Sequence, residues 1–161
     1  MPIRIFLASA PRTAVAHEYQ EIVTSRTREV LGSISGIVIV NRSQTESILK
    51  ELAFQQTGLT DSDGIARIGR FTNASHLFLA SLADLTIEKT YHPSTVIGNK
   101  RVPAYFEYNV LSAIDVQVIE VETAEIVYSE SIEGEFNQGS RVQLDSRSER
   151  SLVLKSLENC F

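Results

Sequence analysis

The sequence predicts an α/β domain, and three observations carry that prediction. Ile3–Ala8, Ile37–Val40 and Leu77–Ala80 are short apolar runs without polar alternation, the pattern of strands buried on both faces. Segments with apolar residues at helical spacing lie between them, as crossovers joining parallel strands require. After Leu82 the chain turns to alternating, β-rich segments and closes with an amphipathic stretch.

Each element has a local reason. Ile3–Ala8, ahead of Pro11, fits a buried central strand. Thr13 can cap a helix over residues 14–31, with Val15, Tyr19, Ile22, Val23, Val30 and Ile34 at helical spacing and Arg26 interrupting the stripe. The segment Gly32-Ser33-Ile34-Ser35-Gly36 ends it. A nucleophile elbow needs serine at the centre of G-x-S-x-G, and the centre here is Ile34, so the segment reads as a turn. Ile37–Val40 is the second strand, four β-branched residues in a row.

Ser43-Gln44-Thr45-Glu46 has the form of a capping box, in which the serine and glutamate side chains each satisfy a free backbone N–H at a helix start. It opens a helix with Ile48, Leu49, Leu52 and Ala53 on one face and Gly58 as its stop. Asp61-Ser62-Asp63-Gly64 fails as a calcium loop. With Gly64 at the glycine position, Leu59 falls first and Arg70 last, where oxygen ligands are needed. The segment reads instead as the acidic start of another helix, packing Ile65, Ala66 and Ile68 inward and stopping at a left-handed Asn73.

Leu77–Ala80 is the third strand, extending through the alternating Asp84–Glu88. Residues 89–104 hold Pro93, Pro103 and Gly98-Asn99 and read as a loop or small hairpin. Tyr105–Val121 and Glu125–Glu133 form a β-hairpin turning at Glu122-Thr123-Ala124, and residues 134–145 read as polar loop. Ser146-Arg147-Ser148-Glu149 is a second capping box. It opens a final helix with Leu152, Val153, Leu157 and Phe161 on one side, where Cys160 packs as a small apolar residue. With no repeat or linker, residues 1–161 read as a single domain.

Composition excludes several function classes. Fifteen Lys+Arg against 20 Asp+Glu give a net charge of −5, which disfavours nucleic acid as a partner because phosphate binding needs basic surface. The single cysteine, Cys160, allows neither an intrachain disulfide nor a cysteine-based metal site. No apolar run approaches the roughly 18–20 residues of a transmembrane helix. The run Ile5–Ala10 is shorter than a signal-peptide core and reads as strand, so an exported form would need a targeting segment missing from this chain.

No constellation for reaction chemistry emerges. His17, His76 and His92 match no metal-ligand spacing, and an exposed or hydrogen-bonded histidine is the plainer reading of each. Neither glycine-rich phosphate-binding motif is present. No catalytic, cofactor-binding or metal-binding residue is therefore expected, and no cofactor. Tyr91, Tyr105, Phe106 and Tyr108 cluster in or beside the 89–104 segment as candidate interface anchors; the plainer reading of them is half-buried strand residues. A second candidate is the crevice at the carboxyl ends of the parallel strands, where Ser9, Arg12 and Arg42 would face a small ligand or substrate.

Residues 36–82 carry a family pattern. Ile39-Val40-Asn41-Arg42 ends a strand, Ile48-Leu49-Lys50-Glu51 follows in a helix, Ile68-Gly69 with Ala74 closes the next helix, and Ala80-Ser81 ends a strand. With the hairpin Ile114–Ile126, turning at Glu122-Thr123-Ala124-Glu125, this resembles the curli assembly and secretion component (CsgG-type) family. Related domains are those of penicillin-binding-protein activator lipoproteins and the amino-terminal domain of the Tol-system translocation protein. Asn41, Ala80 and Ala124 depart from the family's acidic residue and two glycines.

The resemblance implies a three-layer α/β/α fold on a mixed five-stranded sheet, order 2-1-3-4-5 with strand 4 antiparallel. It implies a non-enzymatic bacterial envelope protein that binds a protein partner, another chain or a second copy, in secretion or cell-wall assembly. The family's channel builds its barrel from two long hairpin insertions. Spanning strands need about 9–11 residues of alternating pattern, so residues 89–104, interrupted by two prolines, and residues 134–145 are not expected to form a pore alone. The place implied is the periplasm or outer-membrane periphery if a signal segment has been removed, and otherwise the cytoplasm.

Overall fold

The computed structural model describes residues 2–8, 16–40 and 73–161. Thr13, the capping box at Ser43–Glu46, the helices expected between residues 43 and 73 and the Asp61–Gly64 segment lie outside the described residues. So do the crevice candidates Ser9, Arg12 and Arg42.

Five strands form one mixed sheet: β1 (Ile3–Ala8), β2 (Ile37–Ile39), β3 (His76–His92), β6 (Tyr105–Glu120) and β7 (Ile126–Ser140). Its order is β2-β1-β3-β6-β7, the expected 2-1-3-4-5 once a small hairpin, β4 (Thr95–Ile97) and β5 (Lys100–Val102), is set aside as a separate two-stranded sheet. β1 pairs in parallel with β2 (Ile3↔Ile37) and with β3 (Phe6↔Leu77, Ala8↔Leu79). β6 is antiparallel to β3: Val121 N–H reaches Ser75 O at one end, and the Tyr91 ring meets the Phe106 ring at the other, so numbers rise on one strand as they fall on its neighbour. Only an antiparallel neighbour can follow so short a turn as 121–125, which fixes β7 against β6.

By contacts the chain divides into two compact units, Met1–Ser81 with Asp115–Ser131, and Leu82–Ile114 with Ile132–Phe161. In the first, β1 is buried from Ile5 to Ala8, as a strand with neighbours on both sides must be. Phe6, Ala8, Leu77, Ile119 and Val121 form one cluster with Ala74. Burying a side chain of this kind contributes about 1.5–3 kcal/mol.

The helix α1 (Ala16–Ser33) turns an unexpected face inward: Gln20, Val23, Thr24, Thr27 and Leu31 are buried, whereas Val30 and Ile34 are exposed. The polar members are tolerated because each hydroxyl finds a carbonyl one turn back. Thr24 Oγ1 donates to Gln20 O at 2.8 Å and Thr27 Oγ1 to Val23 O at 2.7 Å. Gln20 Nε2 donates to Ala80 O on β3 at 2.9 Å, fastening helix to sheet. Asn73 is left-handed, φ 51°, and the helix it was expected to stop lies outside the described residues.

In the second unit β3 continues to His92, and β4 and β5 then pair across Gly98-Asn99, so of the two readings of residues 89–104 the small hairpin holds and the loop does not. Gly98 has φ +61°, which suits so tight a turn. Residues 134–140, read as loop, belong to β7. The helix α2 (Ser146–Glu158) buries Leu152, Val153, Ser156 and Leu157. Cys160 is buried as expected, while Phe161, placed on the same side by its spacing, is 47% exposed. The cap also differs: Asp145, not Ser146, is the N-cap, and its Oδ1 accepts from Ser148 N–H at 2.9 Å.

Candidate interaction surface

The far ends of β3 and β6, both in the second unit, carry aromatic rungs on their two faces. Tyr91 and Phe106 meet at 5.1 Å between ring centroids, tilted by 48°. Lys89 Nζ lies 4.8 Å from the Phe106 centroid, within cation–π range. The residues next in each strand point the other way. There His92 stacks on Tyr105 at 4.5 Å and 13°, and its Nε2 is 2.7 Å from Glu107 Oε2. Tyr91 is 57% exposed, while Tyr105 and Phe106 are half-buried. Each rung pairs side chains across the two strands, and Tyr91 is the ring most open to solvent.

Tyr108 does not join this surface. It is 0% exposed, and its hydroxyl accepts from Leu144 N–H at 2.9 Å. Period-2 alternation shares a face between Phe106 and Tyr108, and the second ring turns into the core of the unit where the first remains at its margin. Sequence reasoning did not place Lys89, His92 or Glu107 at this surface, although His92 is hydrogen-bonded, as its plainer reading has it. They become visible only through the pairing of residue 91 with 106 and of 92 with 105, a register set by contacts distant in the chain.

Among the described residues no three of His, Cys, Asp and Glu group closely enough to hold a metal ion. His76 lies beside Ser75 Oγ at 3.0 Å, and nothing is described of the His17 side chain. Burial pushes the Cys160 thiol above its ordinary pKa, with the Ser112 hydroxyl bond opposing the shift. The Tyr128 hydroxyl donates to the Glu130 carboxylate, which raises its pKa, and the bond from Ser148 lowers that of Asp145. The crevice candidates Ser9, Arg12 and Arg42 cannot be placed in this geometry. Among the described residues no helix is long and apolar enough to cross a membrane.

The family described as "Curli production assembly/transport component CsgG" matches residues 7–145. No curated protein matches the chain. Solved structures that resemble it include lipoprotein GNA1162 from Neisseria meningitidis, with 11% identity, TM-score 0.50 and coverage of 98% of this chain and 96% of that one. The LpoB C-terminal domain from Escherichia coli has 17% identity and TM-score 0.50 over 84% and 83% of the two chains. A putative neuraminyllactose-binding hemagglutinin homolog from Helicobacter pylori has 8% identity and TM-score 0.57 over 99% and 80%. At these identities the likeness is one of fold.

Proposed function

The chain belongs to the family described as curli production assembly/transport component CsgG, and from that premise we propose that it is a non-enzymatic protein of the bacterial cell envelope that binds another protein during secretion or envelope assembly. The observation that supports the binding role is the aromatic pair of exposed Tyr91 and half-buried Phe106. Rigid aromatic side chains add contact area at little entropic loss and are favoured anchors in protein interfaces. The likeness in fold to a protein described as a lipoprotein, GNA1162, supports an envelope location. The partner is another envelope protein or a second copy of this chain. The reading that the chain alone makes no pore is supported by β4 and β5, which follow β3 and have three residues each, against about 9–11 in a membrane-spanning strand.

The test is a photo-crosslinking residue placed at Tyr91, and at exposed Arg147 as control, in the chain expressed from its own full reading frame. Expected is one cross-linked protein species from the envelope fraction at Tyr91, absent at Arg147 and lost when Phe106→Ser removes the supporting ring. A chain recovered from the cytoplasm as a strict monomer, without cross-links, overturns the reading.

A further inference from the structure

The strand β7 is an edge of the five-stranded sheet, with no strand on its outer side among the described residues. Its first six residues, Ile126 to Ser131, are all exposed, among them Ile126 at 58%, Val127 at 54% and Tyr128 at 48%. Such an edge presents unpaired N–H and C=O groups. Folded proteins usually blunt it with lysine, proline or a bulge. The stretch Ile126–Ser131 contains neither lysine nor proline, and apolar side chains stand on both of its faces.

Charge selects the occupant. Between Arg101 and Arg141 the chain has no Lys or Arg and eight carboxylates, although the whole chain has 15 Lys+Arg against 20 Asp+Glu. Glu125, just before β7, and Glu130 on it flank the apolar triplet, and Glu120 and Glu122 stand at the adjoining turn. A second copy pairing antiparallel through the same edge would bring like charges together across the new ladder, which is destabilising. A basic strand would meet opposite charges instead.

We propose that the Ile126–Ser131 edge takes up an extended, basic segment of a partner protein as a sixth strand. Main-chain hydrogen bonds supply the pairing, and alternating apolar and basic side chains meet Ile126, Val127 and Tyr128 and the carboxylates of Glu125 and Glu130. This is a surface distinct from the aromatic rungs, and it rests on the protein-binding reading only in taking a polypeptide as its ligand.

The probe is a capped peptide of alternating lysine and valine, about six residues long as an ordinary strand is, with a glutamate–valine peptide as control. Expected are saturable binding of the lysine peptide, weakened by salt, and amide NMR shifts concentrated in residues 125–131. In the Glu125→Lys, Glu130→Lys double variant binding falls about tenfold, as two exposed attractions become repulsions. Val127→Lys, which blunts the edge, abolishes it. Equal binding of the two peptides, shifts centred elsewhere, an unaffected double variant, or an edge already closed by self-association overturns the proposal. Failure here together with Tyr91 cross-links in the envelope rejects this edge and leaves the function proposed above intact.

Discussion

The Ser156 hydroxyl donates to the Gly134 carbonyl at 2.9 Å, locking α2 against β7. Ser112 Oγ lies 2.8 Å from Ser156 Oγ and completes a buried chain, since each hydroxyl has one proton to give and can still accept another. The approach is so close that a Cβ built on Gly134 would stand 2.2 Å from Ser156 O and 2.7 Å from Cys160 Sγ. One neighbour is backbone and cannot step aside. Gly134→Ala is therefore expected to destabilise the fold by about 3 kcal/mol or more. Gly139→Ala, whose Cβ would meet only the Tyr105 ring at 3.8 Å, changes stability by less than about 1 kcal/mol. Urea unfolding of the two variants measures both.

Ala124 occupies the left-handed region, φ 58°, in the turn that joins β6 to β7. An L-residue with a Cβ is strained there by roughly 1–2 kcal/mol, and glycine is not. Glycine gives back part of that gain through the entropy of the unfolded chain and the loss of a methyl packed on the cluster of Ile119 and Val121. Ala124→Gly should still stabilise by about 0.5 kcal/mol, read as a rise in the urea midpoint at unchanged slope.

Asp145 tests the corrected helix cap. Hydrogen bonding from Ser148, first from its side chain and then from its backbone N–H, holds the Asp145 carboxyl below the ordinary value in the folded state. A depressed folded pKa contributes stability that is present above the unfolded pKa and lost as pH falls through the folded one. Asp145→Asn keeps an acceptor oxygen without the charge, and Asp145→Ala removes both. The stability gap between the wild type and Asp145→Ala should be constant from neutral pH down to about 5 and narrow below about 4. A gap that widens on acidification would reverse the sign of the argument. Ser146→Ala should leave helix stability nearly unchanged, because the serine does not hold the cap.

What was legible in the sequence follows from which interactions are local in chain order. Ile3–Ala8, Ile37–Val40 and Leu77–Ala80 read as strands by composition, and the resemblance supplied their order. The two-sided burial expected of Ile37–Val40 is not found, since β2 has no buried residue and Val38 is 40% exposed. The inward face of α1 was not legible, because Thr24 and Thr27 enter the core by bonding their own helix, which no hydrophobic pattern records. Residues 134–140 looked like loop because an edge strand beside solvent can be polar, and Gly134 is there to admit a helix rather than to turn the chain. Asp145 and Ser146 are adjacent and both chemically fit to cap, so backbone geometry alone decides between them. At the candidate surface, aromatic clustering located Tyr91, Tyr105 and Phe106, but β-propensity is blind to which face is wet and could not remove Tyr108.

Cys160 gives the last prediction. Its Sγ is buried, 3.4 Å from Ser112 Oγ, and burial raises its pKa because the thiolate would lose hydration. The thiolate is the reactive form, so a native thiol both covered and slow to ionise should react with a disulfide reagent far more slowly than the same thiol in denaturant. The linkage has the opposite sign to that of Asp145. A raised folded pKa contributes stability fully present below the unfolded value, about 8.5, and lost as pH rises through the folded one. Stability should therefore decline in mildly alkaline buffer by an amount that Cys160→Ala removes. The same variant leaves a small void beside Gly134, so its stability at pH 7 should fall by about 1 kcal/mol. If labelling of the folded chain is as fast as that of the unfolded chain, the helix end that carries Cys160 opens far more readily than its packing on Ser112 and Gly134 allows.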